Sequence, residues 1–386
     1  MNPEIEKDVL YVGVNDHKID LFEGQYHVPR GMSYNSYVIL DEQVCVMDGV
    51  DGAFIEEWLG KVHEALGGRE ADYLFVSHME PDHSASIAAF SERYPSARIV
   101  SSQKAFDMMR AFFGTDFAER RVVVRDGDVL SLGRHSLRIV AAPMVHWPEV
   151  ITAFDETDGI YFSADAFGKF GALDVDEPWV DEARRYYIGI VAKYGQQVQA
   201  LLRKAGALAI KTVCPLHGPV LTGDLAPYLS LYDVWSSYRP EAEGVTVAYA
   251  SIYGNTRRAA EFAAEQLRQR GMTVVLYDLC RADMAAAVAD AFRYRGLVLA
   301  CSTYNAELFP PMHTFLHALA SRGYRGRTVG LIENGSWAPM AASKMRTALE
   351  KCADLTFAEP VVSVRSKMTP EDEKHICELA DALKCK

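Results

Sequence analysis

Apolar and polar positions change their rhythm once along this chain, near residue 240. Before that point, short β-branched and aromatic runs at 37–40, 44–47, 73–76 and 137–140 are separated by turn signals and predict strands. Helical spacing is interspersed over 54–66 and 192–205. The polar segment Arg239-Pro240-Glu241-Ala242-Glu243-Gly244 breaks both periods and predicts a boundary between domains at 1–240 and 245–386. Beyond it, strand patterns at 245–250, 273–277, 296–300 and 328–332 alternate with helical patterns beginning near Arg257, Ala282, Pro311 and Ala338. A weaker strand near Val361 precedes a helix over 370–383. Five such units predict a parallel, doubly wound, five-stranded sheet with helices on both faces.

A length of 386 residues agrees with two cores, and 49% apolar residues are ample for both. Charges interrupt every apolar stretch before membrane-spanning length, and no basic N-terminal region leads into an apolar block. The expectation is a cytoplasmic protein with no membrane partner. Seven cysteines (Cys45, Cys214, Cys280, Cys301, Cys352, Cys377 and Cys385) contain no C-x-x-C pair, so neither a disulfide framework nor a thiolate metal knuckle is expected. A formal net charge of −12 opposes non-specific nucleic-acid binding.

Chemistry concentrates first at Ser77-His78-Met79-Glu80-Pro81-Asp82-His83, directly after the apolar run 73–76. A buried strand delivers these side chains to the rim of a sheet, where clefts form. Proline at 81 sets a bend, so His78, Glu80, Asp82 and His83 converge on one tight loop instead of alternating across a strand. That mixture of imidazoles and carboxylates predicts a metal site. Three later segments repeat the arrangement: the run 137–142 leads to His146, 160–163 to Asp165 after the turn signal Thr157-Asp158-Gly159, and 210–214 to His217. All are expected on one edge of the sheets.

The order H-x-E-x-D-H, then His, Asp and His, resembles the metallo-β-lactamase fold family, whose αββα sandwich holds two metals between its sheets. Asp48 resembles that family's early structural aspartate. The departure is Glu80, where hydrolases of that family usually have histidine. Three carboxylates beside four imidazoles suit iron and its ferric state, whereas zinc hydrolases work with more neutral nitrogen ligands.

The second domain opens with Ser251-Ile252-Tyr253-Gly254-Asn255-Thr256-Arg257, a small, hydroxyl-rich turn from strand into helix. Backbone N–H groups, the hydroxyls of Ser251 and Thr256 and the helix N-terminus can surround a phosphate there. No G-x-G-x-x-G is present, which argues against a dinucleotide fingerprint. Two later loops, Cys301-Ser302-Thr303-Tyr304-Asn305 and Glu333-Asn334-Gly335-Ser336-Trp337, pair small polar residues with an aromatic that can stack on a planar ring. The arrangement resembles flavodoxin, whose FMN sits at the C-terminal ends of the strands.

Together the halves resemble the flavodiiron proteins, A-type flavoproteins with an αββα metallo-β-lactamase-like sandwich followed by a flavodoxin-like sheet. The resemblance implies FMN at Ser251, Tyr253, Gly254, Asn255, Thr256, Ser302, Thr303, Tyr304, Asn305, Asn334, Gly335, Ser336 and Trp337. It implies two non-haem iron ions, one on His78, Glu80 and His146, the other on Asp82, His83 and His217, with Asp165 bridging. Tyr194 resembles a family tyrosine near the open face of the metals. The implied activity is reduction of dioxygen to water, of nitric oxide to nitrous oxide, or both. Reduced FMN and a diferrous pair together hold the four electrons that dioxygen needs. A head-to-tail homodimer or dimer of dimers follows from the resemblance, with the flavin of one subunit beside the metals of the other. Lacking a C-x-x-C pair, the chain is not expected to carry a fused rubredoxin, so a separate donor such as rubredoxin is expected. Two other readings stay open: a zinc hydrolase with an appended flavodoxin-like electron-transfer module, which Glu80 disfavours, and an electron carrier whose metal is only structural.

Overall fold

The computed structural model describes residues 4–384, so Cys385 lies outside the described residues. It forms two compact units: one runs to Tyr187 and resumes over Tyr194–Asp233, and the other takes Ile188–Lys193 and the chain from Val234. The polar segment expected to separate domains is partly ordered into a strand, Ala242–Ala250. Gly244 makes this possible: its φ is +156°, and a Cβ there would meet Tyr294 Cδ1 at 2.5 Å, so the strand bulges at a residue only glycine can occupy. The six described cysteines are all free, and no described helix is long and apolar enough to cross a membrane.

The first unit faces two sheets against each other. Glu4–Glu6, Val9–Tyr11, Tyr37–Ile39, Cys45–Met47, Tyr73–Phe75, Arg98–Ser101 and Arg121–Val123 form a seven-stranded sheet in that order. Val129–Ser131, Ser136–Ala141, Ile151–Asp155, Ile160–Phe162 and Thr212–Cys214 form the other. Val9, Ile39, Met47, Phe75 and Val100 from the first meet Leu137, Ile139, Ala153, Ile160 and Phe162 from the second in one apolar core. Two sheets facing each other around one core are what the metallo-β-lactamase resemblance implied.

Parallel pairing decides where the sandwich presents its chemistry. Phe162 lies opposite Cys214 in parallel strands, so Asp165 and His217, each three residues further on, leave the same edge. Met47 lies opposite Phe75 in another parallel pair, which brings Asp48 beside Ser77. The expected tight loop is in part a helical turn, Pro81–Ser84, with proline at its first position, where a missing N–H costs nothing. Asp82 and His83 therefore project from a helix.

The second unit is a doubly wound parallel sheet. Its order is Val274–Asp278, Ala242–Ala250, Tyr294–Tyr304, Thr328–Asn334 and Thr356–Phe357, with Glu307–Leu308 added antiparallel to Tyr294–Tyr304. Reading strands in chain order gives 2-1-3-4-5, which puts the switch point between Ala242–Ala250 and Tyr294–Tyr304. The fifth strand comes in two pieces, Thr356–Phe357 and Val362–Val364, both paired with Thr328–Asn334. Pro360, which has no N–H to donate, separates them. Helices Asn255–Gln269 and Pro370–Lys384 supply Ala259, Ala263, Leu267, Ile376 and Leu379 to the core on one face.

Candidate metal centre and flavin groove

Seven of the predicted residues meet at the strand-end edge of the first unit. His78, Glu80, His146 and Asp165 form one cluster and Asp82, His83 and His217 another. Glu80 Oε2 lies 3.3 Å from His78 Nε2 and 3.0 Å from His146 Nε2. His83 and His217 bring their Nε2 atoms within 3.2 Å of each other, and Asp82 Oδ2 lies 3.5 and 3.3 Å from them. Asp165 faces both ways: Oδ2 is 3.3 Å from His78 Nε2 and 3.1 Å from His146 Nε2, and Oδ1 is 3.6 Å from His217 Nε2.

Left-handed backbone at non-glycine residues beside these positions, Asp48 (φ +55°), Met144 (φ +65°) and Ala164 (φ +51°), marks strain held by its surroundings. Asp48 directs Oδ1 to Ser77 N–H (2.7 Å) and Oδ2 to the Ser77 hydroxyl (2.8 Å), which pins the start of the ligand segment. Burial pushes its carboxyl up to about 7 against those hydrogen bonds.

The electrostatics are those of anions awaiting cations. Burial opposes ionisation of Asp165, yet the charges of His78, His146 and His217 hold its carboxyl far below the usual range. Burial likewise opposes ionisation of Glu80, but hydrogen bonds from His146 and His78 bring it down to about 2. His146 is lifted to about 9 against its own burial by Asp165 and Glu80. His78 and His217 are also raised against burial, the first by Asp165 and Glu149 and the second by Asp82. His83 alone goes down, because burial outweighs Asp82. Both oxygens of Asp82 and of Asp165 are buried with no hydrogen-bond partner among the described residues. Such orphaned carboxylates are costly without a cation, so the residues fit a bound metal pair.

Sequence reasoning missed several neighbours of this cluster. Glu149, buried, accepts from His78 Nδ1 and Met79 N. Tyr186, also buried, sets its ring 5.5 Å from that of His217, and Phe22 does the same from a hairpin at Leu21–Phe22 and Tyr26–His27. No motif marks any of these three; only Glu149, three residues after His146, was near a recognised position. Tyr194 is half-buried at the start of helix Gly195–Ala205. A third group, His135, Asp155 and Asp158, also has ligand spacing, but Arg134 donates to Asp158 and sets its guanidinium beside His135, so a cation already fills it.

The second unit holds a groove of about 510 Å³ at its switch point. Ser251, Tyr253, Asn255, Thr256, Ser302, Thr303, Tyr304, Asn305, Asn334, Gly335, Ser336 and Trp337 line it, while Gly254 (φ +93°) caps the helix Asn255–Gln269 beside it. That helix has no side-chain cap, which leaves its first N–H groups for an anion. Tyr304 and Trp337 are 44% and 88% exposed, which leaves their ring faces open to a planar group. Polar pairs shape the walls: Thr256 and Ser302 hydroxyls 2.7 Å apart, and the Thr303 hydroxyl accepting from Met340 N–H at 2.9 Å. Ser366 was not foreseen; it exchanges hydrogen bonds with Asn334 and meets the Ser336 hydroxyl at 2.6 Å. The groove fits FMN.

Comparison with known proteins agrees with both halves. The model of the ODP family beta lactamase matches residues 32–218, and that of flavodoxin matches 247–373. A nitric oxide reductase from Moorella thermoacetica is 28% identical, covering 97% of this chain and 96% of its own length. The structure of a flavo di-iron protein variant from Thermotoga maritima superposes with a TM-score of 0.90 at 25% identity, over 100% of this chain and 98% of that one. Rubredoxin:oxygen oxidoreductase from Desulfovibrio gigas shares the fold with a TM-score of 0.92 at 23% identity, over 99% and 98% of the two chains. With both halves matched in order, this chain has the architecture of the flavodiiron proteins, a metallo-β-lactamase-like domain followed by a flavodoxin domain, with FMN and a non-haem diiron pair as its cofactors.

Proposed function

We propose that this oxidoreductase reduces dioxygen to water, nitric oxide to nitrous oxide, or both, taking electrons from an external donor such as rubredoxin. The reading is carried by Asp165, which aims one carboxylate oxygen at each of two donor triads. His78, Glu80 and His146 would hold one iron, Asp82, His83 and His217 the other, and Asp165 would be shared. Three carboxylates among seven donors favour iron over a zinc hydrolase. When bound, the flavin and the iron pair supply stored electrons and Lewis acidity toward the gas.

The chain's own residues position and enclose. Main-chain carbonyls of Gly49 and Ser33 face Nδ1 of His83 and His217, which leaves each Nε2 turned inward. Tyr186 and Phe22 wall the His217 side with apolar surface. In the groove, Ser251, Thr256 and the helix N-terminus would hold the phosphate, and Tyr304 and Trp337 would flank the ring. The place of Tyr194 at the open face rests on the resemblance, as do the head-to-tail dimer and a cytoplasmic location. Anaerobically reduced protein, loaded with iron and FMN, should reoxidise both cofactors on adding either gas, with consumption followed by gas electrodes. Reduced iron that stays stable under both gases would sink the reading.

A further inference from the structure

Each triad offers one carboxylate and two imidazoles, and Asp165 is common to both, so the donors alone make the two metal positions equal in charge. What lies behind the imidazoles is not equal. His83 Nδ1 stands 3.2 Å from the carbonyl oxygen of Gly49, and His217 Nδ1 2.7 Å from that of Ser33. His78 Nδ1 instead faces a carboxylate, Glu149 Oε1, at 2.8 Å. The same oxygen accepts from Met79 N–H at 2.8 Å, which locks Glu149 to the ligand segment itself. Glu149 is 2% exposed, and its other oxygen has no hydrogen-bond partner among the described residues. Asp48, the other buried carboxylate behind this segment, directs both oxygens to Ser77.

We propose that Glu149 is a positioning residue that fixes His78 with Nε2 toward the metal. By its charge it makes the ion held by His78, Glu80 and His146 harder to reduce than the ion held by Asp82, His83 and His217. A carboxylate accepting from Nδ1–H makes the opposite nitrogen a stronger donor and favours the higher charge on the metal. A neutral carbonyl does this weakly. The two irons are therefore reduced in separate steps, through a mixed-valent state. This inference rests on the diiron reading.

The test is a potentiometric titration of iron-loaded protein followed by electron paramagnetic resonance, with iron content measured on the same samples. Glu149→Gln keeps an acceptor oxygen without the charge. It should retain its iron, while the two reduction steps draw together and the maximal mixed-valent signal falls. Glu149→Asp keeps the charge and should stay near the wild-type separation, and Glu149→Ala should bind iron about 10- to 100-fold more weakly. Iron retained with unmoved potentials in Glu149→Gln, or potentials in Glu149→Asp displaced as far as in Glu149→Gln, would overturn the role of Glu149 alone. A wild-type chain that takes up no iron would overturn the diiron reading beneath it.

Discussion

Asp82 and Asp165 each bury a carboxylate among the imidazoles of the cluster, a cost that nearby positive charge offsets. Replacing Asp165 by alanine removes a side chain that faces both clusters. Asp165→Ala should lose its iron and its gas reduction while keeping FMN, because the groove belongs to the other unit; iron content, flavin absorbance and gas electrodes read these three quantities. Retained gas reduction would contradict the proposed sharing. A second prediction concerns His135, which is remote in role from the metals. Burial opposes its protonation, but the hydrogen bond to Asp155 (3.0 Å) raises its pKa above the ordinary value. A raised folded-state pKa contributes stability that is full below about 6.5, the unfolded value, and is lost as pH rises through the folded one. The difference in melting temperature between wild type and His135→Gln should thus be largest near pH 5.5 and shrink toward pH 9. A difference that grows with pH would mean that His135 is neutral in the fold.

At the scale of elements, support for the ligand segment runs inward from a helix. Trp58 on Ile55–Leu66 is fully buried and donates to the Ser36 hydroxyl (2.9 Å), which donates to the Asp48 carbonyl (2.8 Å), and Asp48 holds Ser77. Trp58→Ala should cost about 3–5 kcal/mol of stability by denaturant titration. A loss below that range would show the helix to be replaceable packing. In the second unit, a Cβ on Gly335 would meet Pro339 Cα at 2.7 Å. Crowding of about 1–3 kcal/mol predicts about 5- to 150-fold weaker FMN binding in Gly335→Ala by flavin fluorescence. The sequence disclosed the groove loops because each follows a strand that alternates regularly with a helix, and local pattern fixes that register. The seven clustered metal-ligand candidates were legible for a similar reason, as each follows a strand-like run. Glu149, Tyr186 and Phe22 were not, since what they touch depends on how distant segments pack. The helical turn Pro81–Ser84 was hidden because a proline serves a bend and a first helical position equally well.

Across the whole molecule, the flavin groove and the metal cluster belong to separate compact units, each with its own sheets and core. Loss of one cofactor therefore need not disturb the other, and mixing two defective chains can reveal which flavin serves which metals. Asp165→Ala supplies an intact groove with a broken metal cluster, and Gly335→Val, more crowded than alanine, supplies the reverse. If the flavin of one subunit works with the metals of its partner, a mixed dimer places one good flavin against one good metal pair. The other pairing in that dimer has neither. Random exchange makes about half of the dimers mixed, each with one working site of two, so activity should recover to about a quarter of wild type. Transfer within a single chain gives no recovery, because neither chain holds both cofactors. Gas consumption by an exchanged mixture, with mixed dimers verified by differently tagged chains, therefore separates the two arrangements. Zero recovery in verified mixed dimers would eliminate the head-to-tail proposal while leaving both sites as described.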